Sequence, residues 1–161
     1  MNKMLMLALL SAATVAGALN LRAGAQGGYV GLNPAVAGPY GGAHFGIQYP
    51  VRWGDGRWSL QHTLEVQVVD HYPVVQFDSA AVRSFDGAPF AYYGFGLGSG
   101  VVPGNVPRMG ASTLALLNAH ALLGVQYAVT DRVNLYGEGV ARAFLPGLVS
   151  ATVRAGVQYR F

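Results

Sequence analysis

Apolar and polar residues alternate along much of the chain, and clusters of Gly, Pro and Asp separate the alternating stretches. The last stretch is the clearest, because from residue 149 to residue 161 every odd position is apolar and every even position is polar, charged or Gly. A period of two places successive side chains on opposite faces of a β-strand. After residue 26 no stretch shows the 3.6-residue apolar period of an amphipathic helix. The pattern therefore predicts an all-β chain.

The alternation divides the chain into eight predicted strands. A strand that spans a membrane needs about 9–11 residues, and the longest of these stretches exceed that length. The predicted strands are residues 28–33, 42–51, 59–70, 74–82, 90–97, 113–129, 133–144 and 149–161.

The connections between these strands are of two kinds. Three short turns follow the second, fourth and sixth strands, at residues 54–56, 86–87 and 130–132. Longer connections follow odd-numbered strands, the longest at residues 98–112, although the connection near residues 71–73 is short where a loop is expected. Short turns at one end and longer loops at the other are typical of an outer-membrane barrel. We therefore predict a closed antiparallel up-and-down transmembrane β-barrel, and call its two ends the turn end and the loop end.

The first 25 residues have a different pattern. Lys3 gives a positive start, residues 4–19 form an uncharged apolar run of 16 residues, and small residues lead up to Ala25. This is typical of a secretory signal peptide, and the run is shorter than the roughly 20 residues of a transmembrane helix. We therefore expect residues 1–25 to be removed by cleavage after Ala25, and residues 26–161 to form one barrel domain.

Composition indicates which way the apolar faces point. Charged residues make up 11% of the chain, against about 25% in typical soluble domains, and apolar residues make up 52%. If the apolar faces pointed inward, few charges would be left to cover a water-exposed surface. If they point outward into lipid, the small polar faces fill a narrow interior and the closed barrel pairs its backbone. The composition favours the second arrangement.

The charge balance excludes some partners and cofactors. The pI is 9.4, but after residue 25 eight arginines are balanced by seven acidic residues and no basic cluster occurs. We expect no nucleic-acid partner. The chain has no cysteine, and its four histidines lack the spacing of metal ligands. We therefore expect neither a metal nor a cofactor.

Charged residues on the inner faces should form ion pairs, because buried charges are tolerated only when they are paired. The register of the last two hairpins predicts Glu138 opposite Arg154, and His120 near Arg142. Since the interior of an eight-stranded barrel is filled by side chains, we interpret these residues as a polar plug. The expected interior network consists of Glu65, His120, Gln126, Glu138, Arg142, Arg154 and Arg160.

Aromatic residues near predicted strand ends suggest an interfacial girdle at the turn end. Tyr and Trp are enriched at membrane–water interfaces, where one side of the ring is apolar and the other is hydrated. The expected girdle comprises Tyr29, Tyr49, Trp53, Trp58 and Tyr127, together with Tyr159 and Phe161.

The last nine residues, VRAGVQYRF, resemble the C-terminal strand of Gram-negative outer-membrane barrels. Together with residues 125–144, they resemble the end of the small outer-membrane β-barrel superfamily that includes OmpA-type and OmpX-type barrels. The resemblance implies an eight-stranded barrel in the outer membrane, surrounded by outer-membrane lipid. It also implies a C-terminal signal that is read by the barrel-assembly machinery. The matching positions are Val153, Ala155, Val157, Tyr159 and Phe161.

Some small barrels of this kind modify lipids, and this chain contains some of the residue types that such enzymes use. His44, Asp78 and Ser79 match the types that a palmitoyl-transferring barrel uses, and His120 with Glu138 resembles part of a lipid A deacylase site that lacks its serine. A catalytic site is defined by geometry rather than by residue type. We therefore expect no enzyme.

The sequence predicts an outer-membrane barrel with a structural or surface-interaction role. The long connection at residues 98–112 is the best candidate for contacts outside the cell, including envelope protein partners, because loops on rigid scaffolds often carry binding. Three alternatives remain open: a narrow passive pore, a membrane-embedded lipid-modifying enzyme, and a soluble exported barrel that binds an apolar ligand.

Overall fold

The protein is a closed β-barrel in which each strand pairs antiparallel with the next and β1 closes against β8. The computed structural model describes residues 19–31, 37–55, 57–69, 72–103, 113–145 and 147–161. The prediction of an all-β, eight-stranded closed barrel is confirmed. The strands are β1 Asn20–Gly31, β2 Ala37–Val51, β3 Trp58–Val69, β4 Tyr72–Phe85, β5 Ala88–Pro103, β6 Thr113–Ala128, β7 Val133–Leu145 and β8 Leu148–Arg160.

The outer wall of the barrel is apolar and the inner wall is largely polar. Large apolar side chains such as Leu97 and Val153 point outward and are about 70% exposed. Arg154 and Glu65 point inward and are 1% exposed or less. The alternative of a soluble barrel with an apolar ligand in its interior does not fit this arrangement.

Strand β5 extends through residues that the sequence assigns to a loop. Residues 98–103 continue the strand, and residues 104–112 lie outside the described part of the chain. The glycines of β5 face inward, where a Cβ on Gly96 would lie 2.7 Å from Ala80 Cα and one on Gly98 would lie 2.6 Å from Asn118 Nδ2. These glycines leave room for the interior side chains, whereas the sequence pattern treats them as breakers.

Four prolines within the strands occupy positions that pair on one side only. Pro39 pairs with β1 beyond the end of β3, and Pro50 pairs with β3 beyond the end of β1. Pro73 and Pro103 likewise each have a single neighbouring strand. Proline has no N–H to donate, so it is tolerated where one side of the strand is unpaired.

Strand β1 begins earlier than the sequence pattern predicts. Residues 20–25 pair with both β2 and β8, and Arg22 points into the interior. Cleavage after Ala25 would remove residues 20–25, half of this strand. The small residues Ala16-Gly17-Ala18 form a second A-x-A motif directly before β1.

We expect the mature chain to begin at Leu19, because cleavage after Ala18 leaves β1 whole. N-terminal sequencing or the intact mass of the exported protein checks this. Ala18→Leu should block cleavage, since the position before the cut requires a small residue. Ala25→Leu should leave it unchanged. A mature chain beginning at Gln26 would contradict the prediction.

The seam between β1 and β8 depends on a pair of glycines. Gly24 lies opposite Gly156, and a Cβ on Gly24 would lie 2.7 Å from the Cα of Gly156 and 2.8 Å from the carbonyl carbon of Ala155. Both of these are backbone atoms, so neither strand can relieve the clash by a rotamer change.

Gly24→Ala should therefore destabilise the barrel by about 1–3 kcal/mol, the usual cost of overpacking. The matched control is Gly139→Ala, whose Cβ would point outward with its nearest neighbour, the Leu123 carbonyl oxygen, 4.0 Å away. Denaturant unfolding of the refolded barrels measures the difference. Equal stabilities for the two variants would show that the seam tolerates a side chain.

Candidate functional site in the barrel interior

Six charged side chains meet inside the barrel, and we call them the ionic cluster. Each comes from an inward-facing strand position and is at most 3% exposed. Alternation of the strands directs them to a common interior although they come from five different strands. The ionic cluster consists of Arg22, Glu65, Asp78, Glu138, Arg142 and Arg154.

One ion pair of the cluster joins neighbouring strands, and the others join strands that are not neighbours in the sheet. Glu138 lies opposite Arg154 in the β7–β8 ladder, with 3.5 Å between Arg154 Nη1 and Glu138 Oε2. Arg22 Nη1 donates to Glu138 Oε1 at 2.7 Å, which ties β1 to β7. The cluster therefore links strands that do not touch in the sheet.

Asp78 and Glu65 each hold the same two arginines. Arg142 Nη2 and Arg154 Nη2 donate to Asp78 Oδ2 at 2.8 and 3.1 Å. Both guanidinium groups also pair with Glu65 Oε1. With three arginines against three carboxylates, the cluster is formally neutral, as buried charges require.

Neutral side chains satisfy further oxygens and nitrogens of the cluster. Tyr92 donates its hydroxyl to Glu138 at 2.9 Å, and Gln26 Nε2 donates to Glu65 at 2.8 Å. Gln76 Nε2 donates to Asp78 Oδ1 at 2.8 Å, and Arg142 Nη1 donates to the Thr152 hydroxyl at 2.6 Å. A buried polar network of this kind stabilises one arrangement because each lost partner leaves another group unpaired.

Two histidines lie beside the ionic cluster. His120 is opposite Arg142 in the β6–β7 ladder, and its Nδ1 is 3.1 Å from Asn118 Oδ1. His44 hydrogen-bonds the hydroxyl of Tyr136, and the Arg22 guanidinium carbon lies 3.8 Å from the centre of the Tyr136 ring. Both histidines therefore belong to the packed interior.

Apolar residues also fill part of the interior. Toward the loop end, Val74, Leu116 and Phe144 pack together and are covered by Tyr72 and Leu148. A second buried group adjoins the ionic cluster through Tyr92. This second group consists of Ala80, Val82, Tyr92, Leu122 and Val140.

Not every residue expected in the interior network reaches it. Gln126 and Arg160 lie at the turn-end mouth, where Arg160 is exposed and Gln126 Nε2 donates to the Pro89 carbonyl at 3.4 Å. Both residues belong to the inward-facing set of alternate positions on their strands, but they lie too close to the strand ends to reach the ionic cluster. The other five predicted residues, Glu65, His120, Glu138, Arg142 and Arg154, are brought together inside the barrel.

Two members of the ionic cluster were not predicted from the sequence. Arg22 was assigned to the leader, and Asp78 was considered only as part of an enzyme site. An inward charge at the start of β1 could have been found only by recognising that the alternation begins before residue 28. Asp78 lies two residues after Gln76 and four after Val74, on the same inward face of β4. This spacing could have predicted that Asp78 points into the interior.

The serine, histidine and acid considered for a palmitoyl-transferring site do not meet. Asp78 and His44 point inward, but Ser79 is the next residue along β4 and points outward. His120 lies in the interior beside Asn118, and it also does not form a site with a serine in the described chain.

Most of the expected aromatic girdle lies at the turn end. Trp53 and Trp58 pack with ring centroids 5.6 Å apart beside the β2–β3 turn, and Tyr127 precedes the β6–β7 turn and is 72% exposed. Tyr29 is an exception, because it pairs with Pro39 and Ala151 near the loop end. Tyr49 is on the outer wall toward the turn end. At the same end, the ring of Tyr159 packs against the ring of Phe161.

The C-terminal residues that match the assembly signal all lie on the outer wall. Val153, Val157 and Phe161 are exposed, and the backbone N–H of Phe161 donates to the Leu19 carbonyl at 3.0 Å. The end of the chain is thus tied to the start of β1.

In the part of the chain that the structure describes, the charged residues outside the interior lie at the turn end. Arg83 Nη2 lies 2.8 Å from Asp55, Arg57 pairs with Asp86, and Arg83 also lies over the Trp58 ring. The described charges outside the interior, all at the turn end, are Arg52, Asp55, Arg57, Arg83, Asp86, Asp131, Arg132 and Arg160.

In the described ranges no group of three or more His, Cys, Asp or Glu side chains could hold a metal ion. The same ranges contain no helix long and apolar enough to cross a membrane.

Comparisons with known proteins support the fold. No protein-family model matches the sequence, and no curated protein is similar to it in sequence. The structure is similar to that of Neisserial surface protein A (NspA), with a TM-score of 0.71 and 17% identity over 90% of this chain and 99% of NspA. It is also similar to Ail, the attachment invasion locus protein of Yersinia pestis, with a TM-score of 0.59 and 14% identity over 90% of this chain and 99% of Ail. Both are eight-stranded outer-membrane β-barrels, so the chain has the fold of small outer-membrane barrels.

Proposed function

We propose that this protein is an integral outer-membrane barrel with a plugged interior and a structural or surface-interaction role. The observation that carries the proposal is the distribution of polarity across the closed wall. Large apolar side chains cover the outside, while three arginines and three carboxylates pair inside. A closed barrel has no unpaired edge, so its backbone can be surrounded by lipid.

The interior supports a plug rather than a pore. Arg154, Gln76 and Glu65 are the largest fully buried side chains, and the ion pairs of the cluster cross the interior from β3 and β4 to β7 and β8. Ions would have to displace these paired groups, because an eight-stranded barrel has little space beyond its own side chains. Passive conduction is therefore the weaker candidate.

The two ends of the barrel support an orientation. In small outer-membrane barrels short turns face the periplasm and longer loops face outside. The charged rim with Trp53 and Trp58 is at the turn end, which suits the periplasmic headgroup region. On this orientation residues 104–112, with Arg108, belong to the external end, where envelope or external partners would bind.

The route to the membrane is part of the proposal. A cleaved leader would direct export, and the C-terminal residues Val153, Ala155, Val157, Tyr159 and Phe161 would be read by the barrel-assembly machinery. Their outward positions on β8 leave these side chains accessible before the strand closes against β1.

Fractionation of expressing cells tests the proposal. The protein should partition with the outer membrane and migrate faster on gels when unheated, because a folded barrel resists detergent. A protease site inserted after Asn105 should be cleaved on intact cells, whereas one inserted in the turn after Thr130 should be protected. Recovery in the detergent-free soluble fraction would overturn the proposal.

A further inference from the structure

Three polar side chains form a hydrogen-bonded chain on the outer wall, and we call them the wall triad: Tyr49, His62 and Ser79. The Ser79 hydroxyl oxygen lies 2.9 Å from His62 Nδ1, and the Tyr49 hydroxyl oxygen lies 3.0 Å from His62 Nε2. They come from β2, β3 and β4, in which His62 pairs directly with Ser79. The triad is therefore built by three adjacent strands.

The surroundings of the wall triad are apolar. The His62 ring stacks on Phe77 with centroids 5.9 Å apart and an angle of 10° between the ring planes. Leu97 pairs with Ser79, and Leu64 is the next outward residue on β3. Polar groups at membrane depth are costly, so a retained cluster there indicates a function.

The wall triad has one more hydrogen-bond donor than its internal hydrogen bonds use. Tyr49, Ser79 and a neutral His62 carry one N–H or O–H each, which makes three donors for two internal hydrogen bonds. If the bonds run from Ser79 to Tyr49, the Tyr49 hydroxyl proton is left, and if they run the other way, the Ser79 proton is left. Neither hydroxyl has a second acceptor among the described residues. An unpaired donor in an apolar medium costs about 1–3 kcal/mol, and an acceptor supplied by a lipid would offset that cost.

The depth of the triad indicates which acceptor is available. Trp58 pairs with Arg83 at the turn-end rim, and the His62–Ser79 pair lies four residue pairs further in. For tilted strands this is about 10 Å along the barrel axis. Aromatic belts lie at headgroup level, so the triad lies below the headgroups, among the acyl chains, and the ester carbonyls of this leaflet are the nearest lipid acceptors.

We propose that the wall triad binds the ester carbonyl of a membrane lipid in the leaflet at the turn end. The inference rests on the proposed membrane location. It concerns binding rather than ester cleavage, because backbone N–H groups beside Ser79 lie within the β3–β4–β5 ladders and leave no preformed pair of donors for an oxyanion.

Native mass spectrometry of the full-length protein, released from bilayers of mixed diester and diether phosphatidylglycerol with the same chains, tests the proposal. The two lipids differ in the carbonyl groups alone. One hydrogen bond should favour retention of the diester lipid by about 2- to 10-fold. Tyr49→Phe/Ser79→Ala removes both hydroxyls and should bring the ratio close to that of the lipid mixture.

Ser99→Ala is the matched control, since Ser99 is also an outward serine but lies on β5 away from His62. It should keep the wild-type ratio, and heat-modifiable migration confirms that each variant is folded. A double variant with the ratio of Ser99→Ala would overturn the proposal. A dimer of the wild-type protein that the double variant does not form would also overturn the proposal, because the wall triad would then bind a second copy of this chain instead of a lipid. Failure of the wild type to enter these mixed bilayers would contradict the membrane location instead.

Discussion

Arg142→Met is expected to destabilise the barrel by about 3–5 kcal/mol, the cost of removing one partner from a buried ion pair. Arg142 donates to Asp78 and Thr152 and pairs with Glu65. Without it, three carboxylates share two arginines and the cluster carries a buried negative charge. Denaturant unfolding followed by tryptophan fluorescence measures the loss.

Three further variants separate charge from packing at this position. Arg142→Lys should lose less stability than Arg142→Met, because the positive charge stays. It should still lose some, because one ammonium cannot make the paired hydrogen bonds of the guanidinium. Adding Asp78→Asn to Arg142→Met should restore part of the stability, since the charges balance again. Arg132→Met, in the exposed β6–β7 turn, should change stability by less than about 0.5 kcal/mol. A similar loss for Arg132→Met and Arg142→Met would show that the ionic cluster does not stabilise the barrel.

Leu123→Arg is expected to destabilise the protein by about 2–4 kcal/mol, the cost of a lipid-facing arginine near the middle of the bilayer. Leu123 is 59% exposed on the outer wall of β6 and pairs with Tyr93 and Gly139. If water instead of lipid surrounded this part of the wall, the substitution would be nearly neutral. Equilibrium unfolding from lipid vesicles measures the effect.

Tyr127→Arg provides the control at a different depth. Tyr127 is on the same face of the same strand, four residues closer to the turn end, and is 72% exposed. An arginine near the interface should cost about 0–1 kcal/mol because its guanidinium reaches the headgroups. Equal small costs at both positions would indicate that water, rather than lipid, surrounds the wall.

The interior network could be predicted within hairpins but not across the barrel. The β7–β8 register places Glu138 opposite Arg154, and the β6–β7 register places His120 opposite Arg142, as the sequence predicts. Short connections determine these registers because they limit which residues can face each other. No such constraint relates Asp78 on β4 to Arg142 on β7, so that contact could not be derived from the chain.

Strand limits were the least predictable part of the fold. Glycines of β5 were interpreted as a loop because glycine is a breaker in most strands. In the barrel their missing side chains make room for Asn118 and His120. The strand that contains Arg22 was assigned to the leader because its small residues resemble a cleavage site.

The sequence alone predicted eight antiparallel strands, because a period of two and short turns are local properties, and its composition predicted that their apolar faces point outward. The tertiary structure decided which inward charges meet, where β1 begins, and that Ser79 joins His62 on the outer wall rather than Asp78 inside. These depend on how far the strands extend and how the barrel closes. Closure brings together residues that lie far apart in the chain, and no local pattern records those distances.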